Sequence, residues 1–287
     1  MAMKLDCGRF TLSLARPLVM GIVNVTSDSF SGDGFAADHR RAVAHGWRLV
    51  AEGADLLDIG AESSRPGAPP VAVQEEVDRL LPVLEALRDC GVPLSVDTVK
   101  PEVMRAAVSA GADLINDIAA LQSPGAMEAV AQSGAAVCLM HMRGLPRTMQ
   151  DDPRYQDVVT EVRDFLALRV KAADAAGIAR ARIVIDPGFG FGKRIEHNVA
   201  LFRNLARILD LGLPVLVGVS RKSMLGEITG RPVGGRIHAS VAAALLAAQA
   251  GAHVLRVHDV AATRDALTVW QALSADERGQ PDIMEIS

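Results

Sequence analysis

The chain has 287 residues, 49% of them hydrophobic, 22% charged and 3% aromatic, with a formal net charge of −4. That is a globular composition, long enough for one large α/β barrel or two ordinary domains. The small negative charge supplies no general basic field, so nucleic acid is excluded as a partner and any anion site must be built locally.

The three cysteines, Cys7, Cys90 and Cys138, match no zinc spacing and read as reduced thiols of a cytosolic protein. The opening stretch MAMKLDCGRFTL lacks the apolar segment and cleavage site of a secretory signal. No apolar run reaches the roughly 20 residues needed to cross a bilayer. The expected location is the cytoplasm, without a membrane partner.

In chain order, the alternation in KLDCGRFTLSL predicts a short β-hairpin within residues 1–16, capping a single barrel domain over 17–287. Apolar runs then recur: PLVMGIVNVT (17–26), ADLLDIGAES (54–63), VPLSVDT (92–98), ADLINDIAA (112–120), AAVCLMHM (135–142), RIVIDPGF (182–189), PVLVGVSR (214–221) and HVLRVHDV (253–260). Helical stretches separate them. In VQEEVDRLLPVLEALRDCG (73–91), Val73, Val77, Leu80, Leu81, Leu84 and Leu87 share a face, Pro82 kinks or splits the helix, and Gly91 stops it. The alanine-rich ASVAAALLAAQAGA (239–252) reads as a packed helix, assigned either to a homodimer interface or to the barrel's own strands.

Continuous apolar strands alternating with helices imply a parallel sheet covered on both faces, and eight such units imply a closed (β/α)8 TIM barrel. An open doubly wound sheet would need a glycine-rich fingerprint after its first strand, which NVTSDSFSGDG (24–34) is not. Barrel chemistry sits at the C-terminal strand ends. Here those ends carry Asn24; Asp58, Glu62, Ser64 and Arg65; Asp97; Asn116 and Asp117; His141; Asp186; Ser220, Arg221 and Lys222; and Arg256 and His258. Each could simply cap the helix that follows it. Capping does not account for carboxylates, amides, Lys, Arg and His converging on one rim. In RIVIDPGFGFGK the buried strand ends at Asp186, and the glycines after it let the backbone approach a ligand closely. The loop is not a Walker motif, because no Gly-Lys-Ser/Thr ending follows.

At these residues the chain closely resembles the dihydropteroate synthase family of folate biosynthesis, across residues 17–275. The matching segments run in order: VMGIVNVTSDSFSGDG, GADLLDIGAESSRPGA, SVDTVK, AGADLINDIAAL, LMHMRGLPRTMQ, IDPGFGFGK with EHN, VGVSRKSMLG, HASVAAALLAAQAGA and LRVHDV. The resemblance implies a homodimeric (β/α)8 barrel. Its reaction joins 6-hydroxymethyl-7,8-dihydropterin pyrophosphate to p-aminobenzoate, giving 7,8-dihydropteroate and pyrophosphate, with Mg2+; sulfonamides resemble the second substrate. The chain departs from the family pattern at Ser27 (usually Pro), at Gly32, Asp33 and Gly34 (usually Asp-Gly-Gly), and at Ser64 (usually Thr).

Under this resemblance the pterin site comprises Asp97, Asn116, Met140, Asp186, Phe191, Lys222 and Arg256. A carboxylate such as Asp186 can accept two N–H bonds from the 2-amino-4-oxo edge of the ring, and Asn116 can both donate and accept. Such a site rejects rings lacking the pattern by roughly 10⁴, because its own groups would be left unpaired. Phe191 and Met140 are either apolar walls of that site or ordinary core residues. Pyrophosphate falls to Ser64, Arg65, Arg256 and His258, p-aminobenzoate to Pro66, Ser220 and Lys222, and Mg2+ to the carbonyl oxygen of Asn24. Asp97, Lys222, Arg256 and His258 are the implied catalytic groups, with loops 24–38 and 64–70 closing over the substrates. No His-x-His or His-Glu-x-x-His spacing supports a protein-held zinc. Two other readings stay open: a pterin-binding methyltransferase acting on methyltetrahydrofolate, and a non-catalytic pterin-binding paralogue. The SRKS and RVHD anion-binding groups disfavour the first, and the altered first loop is the motive for the second.

Overall fold

The computed structural model describes residues 3–25, 35–62, 71–146 and 148–274. The loop departures Ser27, Gly32, Asp33 and Gly34, and the site candidates Ser64, Arg65 and Pro66, lie outside the described residues.

The hairpin forms as expected, with β1 (Lys4–Cys7) antiparallel to β2 (Phe10–Ser13). Each apolar run holds a parallel strand: β3 (Leu18–Asn24), β4 (Leu56–Gly60), β5 (Leu94–Asp97), β6 (Leu114–Asp117), β7 (Ala136–Met140), β8 (Ile183–Asp186), β9 (Leu216–Val217) and β10 (Val254–Val257). They pair in the order β8-β7-β6-β5-β4-β3-β10-β9. A parallel bridge from Ile185 to Val215 joins the two ends and closes the barrel. The outer ring contains α1 (Phe35–Ala51), α2 (Val73–Leu87), α3 (Pro101–Ser109), α4 (Ala126–Ala131), α5 (Val158–Ala175), α6 (Ile195–Arg203), α7 (Leu205–Leu209), α8 (Ser223–Thr229), α9 (Ile237–Gln249) and α10 (Val260–Ser274).

Strand alternation splits each run between two cores. Outward residues such as Val19, Leu57, Ile59, Val96 and Ile115 meet the helices in one large cluster. Inward residues Met20, Leu56, Leu114, Ala136, Cys138, Val184, Leu216 and Val254 fill the N-terminal half of the barrel, where Leu5 and Cys7 of β1 join them. Burying each such Leu or Ile contributes about 1.5–3 kcal/mol. The hairpin is tied down by Arg9, whose backbone N and side chain donate to Asp113 just before β6. Gly8 turns the hairpin with φ +57°, and a Cβ there would strike Asp113, so both conformation and space demand glycine.

The reading of the 73–91 helix needs correction. Helix α2 is not split at Pro82, which sits on the exposed side, and it ends at Leu87, ahead of Gly91. Its inward face is Glu76, Leu80, Val83, Leu84 and Leu87, whereas Val73 is exposed. In the alanine-rich α9, Ala243, Ala244, Ala247 and Ala248 are buried, and the helix packs against β10 and α10 of its own chain.

Candidate active site

The C-terminal half of the barrel interior is polar, and strand register puts it there. Asn24 pairs with Gly60, Gly60 with Asp97, and Asp97 with Asn116, so these positions form one layer. Asp58 lies two residues below Gly60 on β4 and therefore faces the same interior. It is fully buried and accepts hydrogen bonds from Arg256 Nε (2.5 Å), Asn116 Nδ2 (3.1 Å) and Ser95 Oγ (2.5 Å). Arg256 Nη2 also donates to Asp97 Oδ2 at 3.1 Å. One guanidinium thus spans the barrel between two carboxylates. Burial opposes its charge, but Asp58 and Asp97 outweigh that and raise its pKa. Burial pushes the Asp97 carboxyl up to about 7, with Arg256 pulling against it and Asp58 adding repulsion.

The second half of the site is built on the glycine loop after β8. Asp186, 5% exposed, accepts from the Gly188 N–H at 2.7 Å. Burial raises its pKa, opposed first by Lys222. Lys222 Nζ donates to the Phe189 carbonyl at 2.5 Å and stands 4.7 Å from the centre of the Phe191 ring. Burial brings the Lys222 ammonium down to about 8, resisted by Asp186. Gly188, Gly190 and Gly192 all have positive φ, and a Cβ on Gly188 or Gly192 would collide with the His141 or Arg143 carbonyl. The loop therefore lies backbone against backbone on the chain after β7, which no larger residue permits.

An open cavity of about 1160 Å³ crowns the barrel, with Asn24, Asp97, Ser220, Lys222, Arg256 and His258 in its lining. Ser220 Oγ lies 3.0 Å from His258 Nδ1 and accepts from the His258 backbone N–H at 3.2 Å. Asn116, Met140 and Asp186 sit beneath the surface at 4%, 3% and 5% exposure, and Phe191 is half-buried under Lys222. Asn24 is exposed at the end of β3. Among the described residues no three His, Cys, Asp or Glu side chains gather as a metal cage. One amide oxygen at the rim suits a cation that keeps most of its ligands as water and substrate phosphate.

Two residues from the rim do not join the site. Asp117 caps its own turn, accepting from the Ala119 and Leu121 N–H groups at 2.7 Å each. His141 lies outside the barrel, edge-on to Phe165 at 4.9 Å and 2.9 Å from Lys193 Nζ. Glu62 takes Lys100, which also reaches the buried Glu76, and accepts from the Val71 N–H. The sequence reading gives no role to Lys193 or Asn198, although GFGFGK and EHN both lie in the matched segments. It also leaves Asp58 without its partner Arg256.

Residues 20–258 match the pterin binding enzyme family. The chain is 51% identical to a dihydropteroate synthase of Neisseria meningitidis serogroup B over 275 residues, covering 93% of this chain and 96% of that protein. It is similar in structure to a dihydropteroate synthase of Xanthomonas albilineans solved with 4-aminobenzoic acid, at 58% identity, a TM-score of 0.91, and 96% and 100% coverage. It is likewise similar to one from Burkholderia cenocepacia solved with 7,8-dihydropteroate, at 53% identity, a TM-score of 0.87, and 95% and 96% coverage.

Proposed function

The chain belongs to the family of pterin-binding enzymes, and on that premise we propose that it condenses 6-hydroxymethyl-7,8-dihydropterin pyrophosphate with p-aminobenzoate to give 7,8-dihydropteroate and pyrophosphate. The observation that carries this reading is the set of polar groups at one barrel mouth. Carboxylates and an amide (Asp97, Asp186, Asn116) suit the edge of a pterin, and Lys222, Arg256 and His258 stand beside them.

The reaction breaks the C–O bond between the pterin methylene and pyrophosphate and forms a C–N bond to the aromatic amine, which then gives up a proton. As the C–O bond lengthens, positive charge spreads into the ring and negative charge onto the leaving phosphate. Asp97 and Asp186 stabilise the first, and Arg65, Arg256 and His258 with the Ser64 hydroxyl stabilise the second. Asp58 holds Arg256 in place for this. The amine is neutral near pH 7, so no strong general base is required. Pro66, Ser220 and Lys222 border it. Asn24 would hold Mg2+ through its side-chain oxygen; when bound, the ion neutralises phosphate charge.

The protein works as a cytoplasmic homodimer in this reading. Leu246 on α9 and Val269 and Leu273 on α10, two helices in contact, are 54%, 57% and 83% exposed, an apolar face suited to a second copy. No described helix is long and apolar enough to cross a membrane.

To test the function, purified protein is incubated with both substrates and Mg2+, and the products are identified by mass. Dihydropteroate is expected. Its absence from an active folded preparation, with methyl transfer from methyltetrahydrofolate instead, would contradict the proposal.

A further inference from the structure

We infer that Lys193 is a positioning residue for the pterin end of the site: it clamps the glycine loop that presents Asp186 and Lys222, an inference that rests on the transferase reading above. Lys193 is 3% exposed. Its Nζ donates to the carbonyls of Gly188 (2.8 Å), Phe191 (3.1 Å) and His141 (3.3 Å) and lies 2.9 Å from His141 Nδ1. Among the described residues no carboxylate is within hydrogen-bond reach of it. Asp186 attracts it without a hydrogen bond, and burying an ammonium without a directly bonded opposite charge costs stability, which a surface lysine would avoid. What this one supplies is a fixed geometry for the loop.

The loop delivers three contacts to the site. The Gly188 N–H binds Asp186, the Phe189 carbonyl accepts from Lys222, and the Phe191 ring lies under the Lys222 ammonium. The outer edge of the loop is held by other side chains. Asn198 Oδ1 accepts from the Gly190 N–H at 2.8 Å, Gln150 donates to the Gly190 carbonyl, and the Tyr155 hydroxyl donates to the Gly192 carbonyl at 2.8 Å. Lys193 alone among these reaches the inner carbonyls at 188 and 191 and ties them to the end of β7. Without it the Phe191 carbonyl loses its side-chain donor and the Gly188 carbonyl keeps only the Phe191 N–H at 3.1 Å, so Asp186 and Lys222 lose a fixed frame. Misplacement by about 1 Å of groups that read a ligand costs up to roughly 10²-fold.

The test is calorimetry with 6-hydroxymethylpterin, a probe without phosphates, on wild type, Lys193→Met and Leu267→Ala. The Met variant keeps the apolar stem and removes every donor. Leu267→Ala opens the α10 core away from the loop and controls for lost stability alone. Lys193→Met is expected to bind pterin about tenfold or more weakly, while Leu267→Ala, destabilised to a similar extent, binds as wild type. Wild-type affinity in Lys193→Met, or an equal loss in both variants, overturns the clamp. Should Lys193→Met fail to fold, Lys193→Gln supplies at most two of the three donors. It should weaken pterin about threefold, and wild-type affinity there also overturns the inference. A wild type that binds no pterin would bring down the functional reading itself.

Discussion

At the scale of single residues, the site carries two groups that burial has moved toward neutrality. Asp97 titrates near 7, above the about 4 of an unfolded aspartate. Between those values the folded chain keeps a proton that the unfolded chain has released. Its contribution to stability is therefore full below about pH 4, falls as pH rises through 7, and is constant above. Asp97→Asn escapes that loss. It should match or exceed wild type in stability near pH 8, by on the order of 1 kcal/mol, with the advantage vanishing toward pH 4 in thermal melts. Activity should fall at least ~100-fold in the same variant. Lys222 titrates near 8, below its usual value, so in this account kcat/KM peaks between limbs near 7 and 8 that belong to the coupled site. Lys222→Arg, which cannot lose its charge, should remove the alkaline limb while lowering the maximum. An unmoved limb would take Lys222 out of the titration.

At the scale of elements, α9 has two faces, alanines toward its own barrel and Leu246 toward the second copy in the proposed homodimer. Ala247 is fully buried against the chain's own barrel and Leu246 beside it is 54% exposed. Ala247→Leu should cost about 1–3 kcal/mol through overpacking. Leu246→Glu should leave chemical denaturation nearly unchanged yet lower the mass seen by light scattering toward a monomer. A dimer that survives Leu246→Glu would move the interface elsewhere. The strands are legible in the sequence because parallel strands are apolar on both faces. Which polar end faces inward is much less legible, since one residue of register reverses it. Asn116 thus enters the barrel while its neighbour Asp117 caps a turn, and Met140 packs inward while His141 turns out to Lys193. Partners are hidden for a related reason. Asp58 and Arg256 meet across 198 residues, and no local pattern announces that pair. A lysine after a glycine run reads as surface, and only the fold shows Lys193 inside.

At the scale of the whole molecule, the barrel mouth must take two substrates whose negative charges compete for the same cations. Among the described residues that line it, Arg256 is engaged by Asp58 and Asp97, Arg221 by Asp259, and Lys222 by the Phe189 carbonyl. The carboxylate of p-aminobenzoate therefore competes with these partners until the first substrate has rearranged them. Affinity for p-aminobenzoate, titrated by calorimetry, should be low for the free protein and markedly higher with pyrophosphate and Mg2+ present, because the first ligand lowers the ordering cost of the second. Equal affinities would mean a preformed second site. The reaction itself is tested most directly by pyrophosphate release from the pterin substrate, followed as p-aminobenzoate is raised from zero. The account predicts negligible release without the amine and release equal to dihydropteroate formed at every amine concentration. Release at an undiminished rate without p-aminobenzoate, or none with it, would contradict condensation at this site.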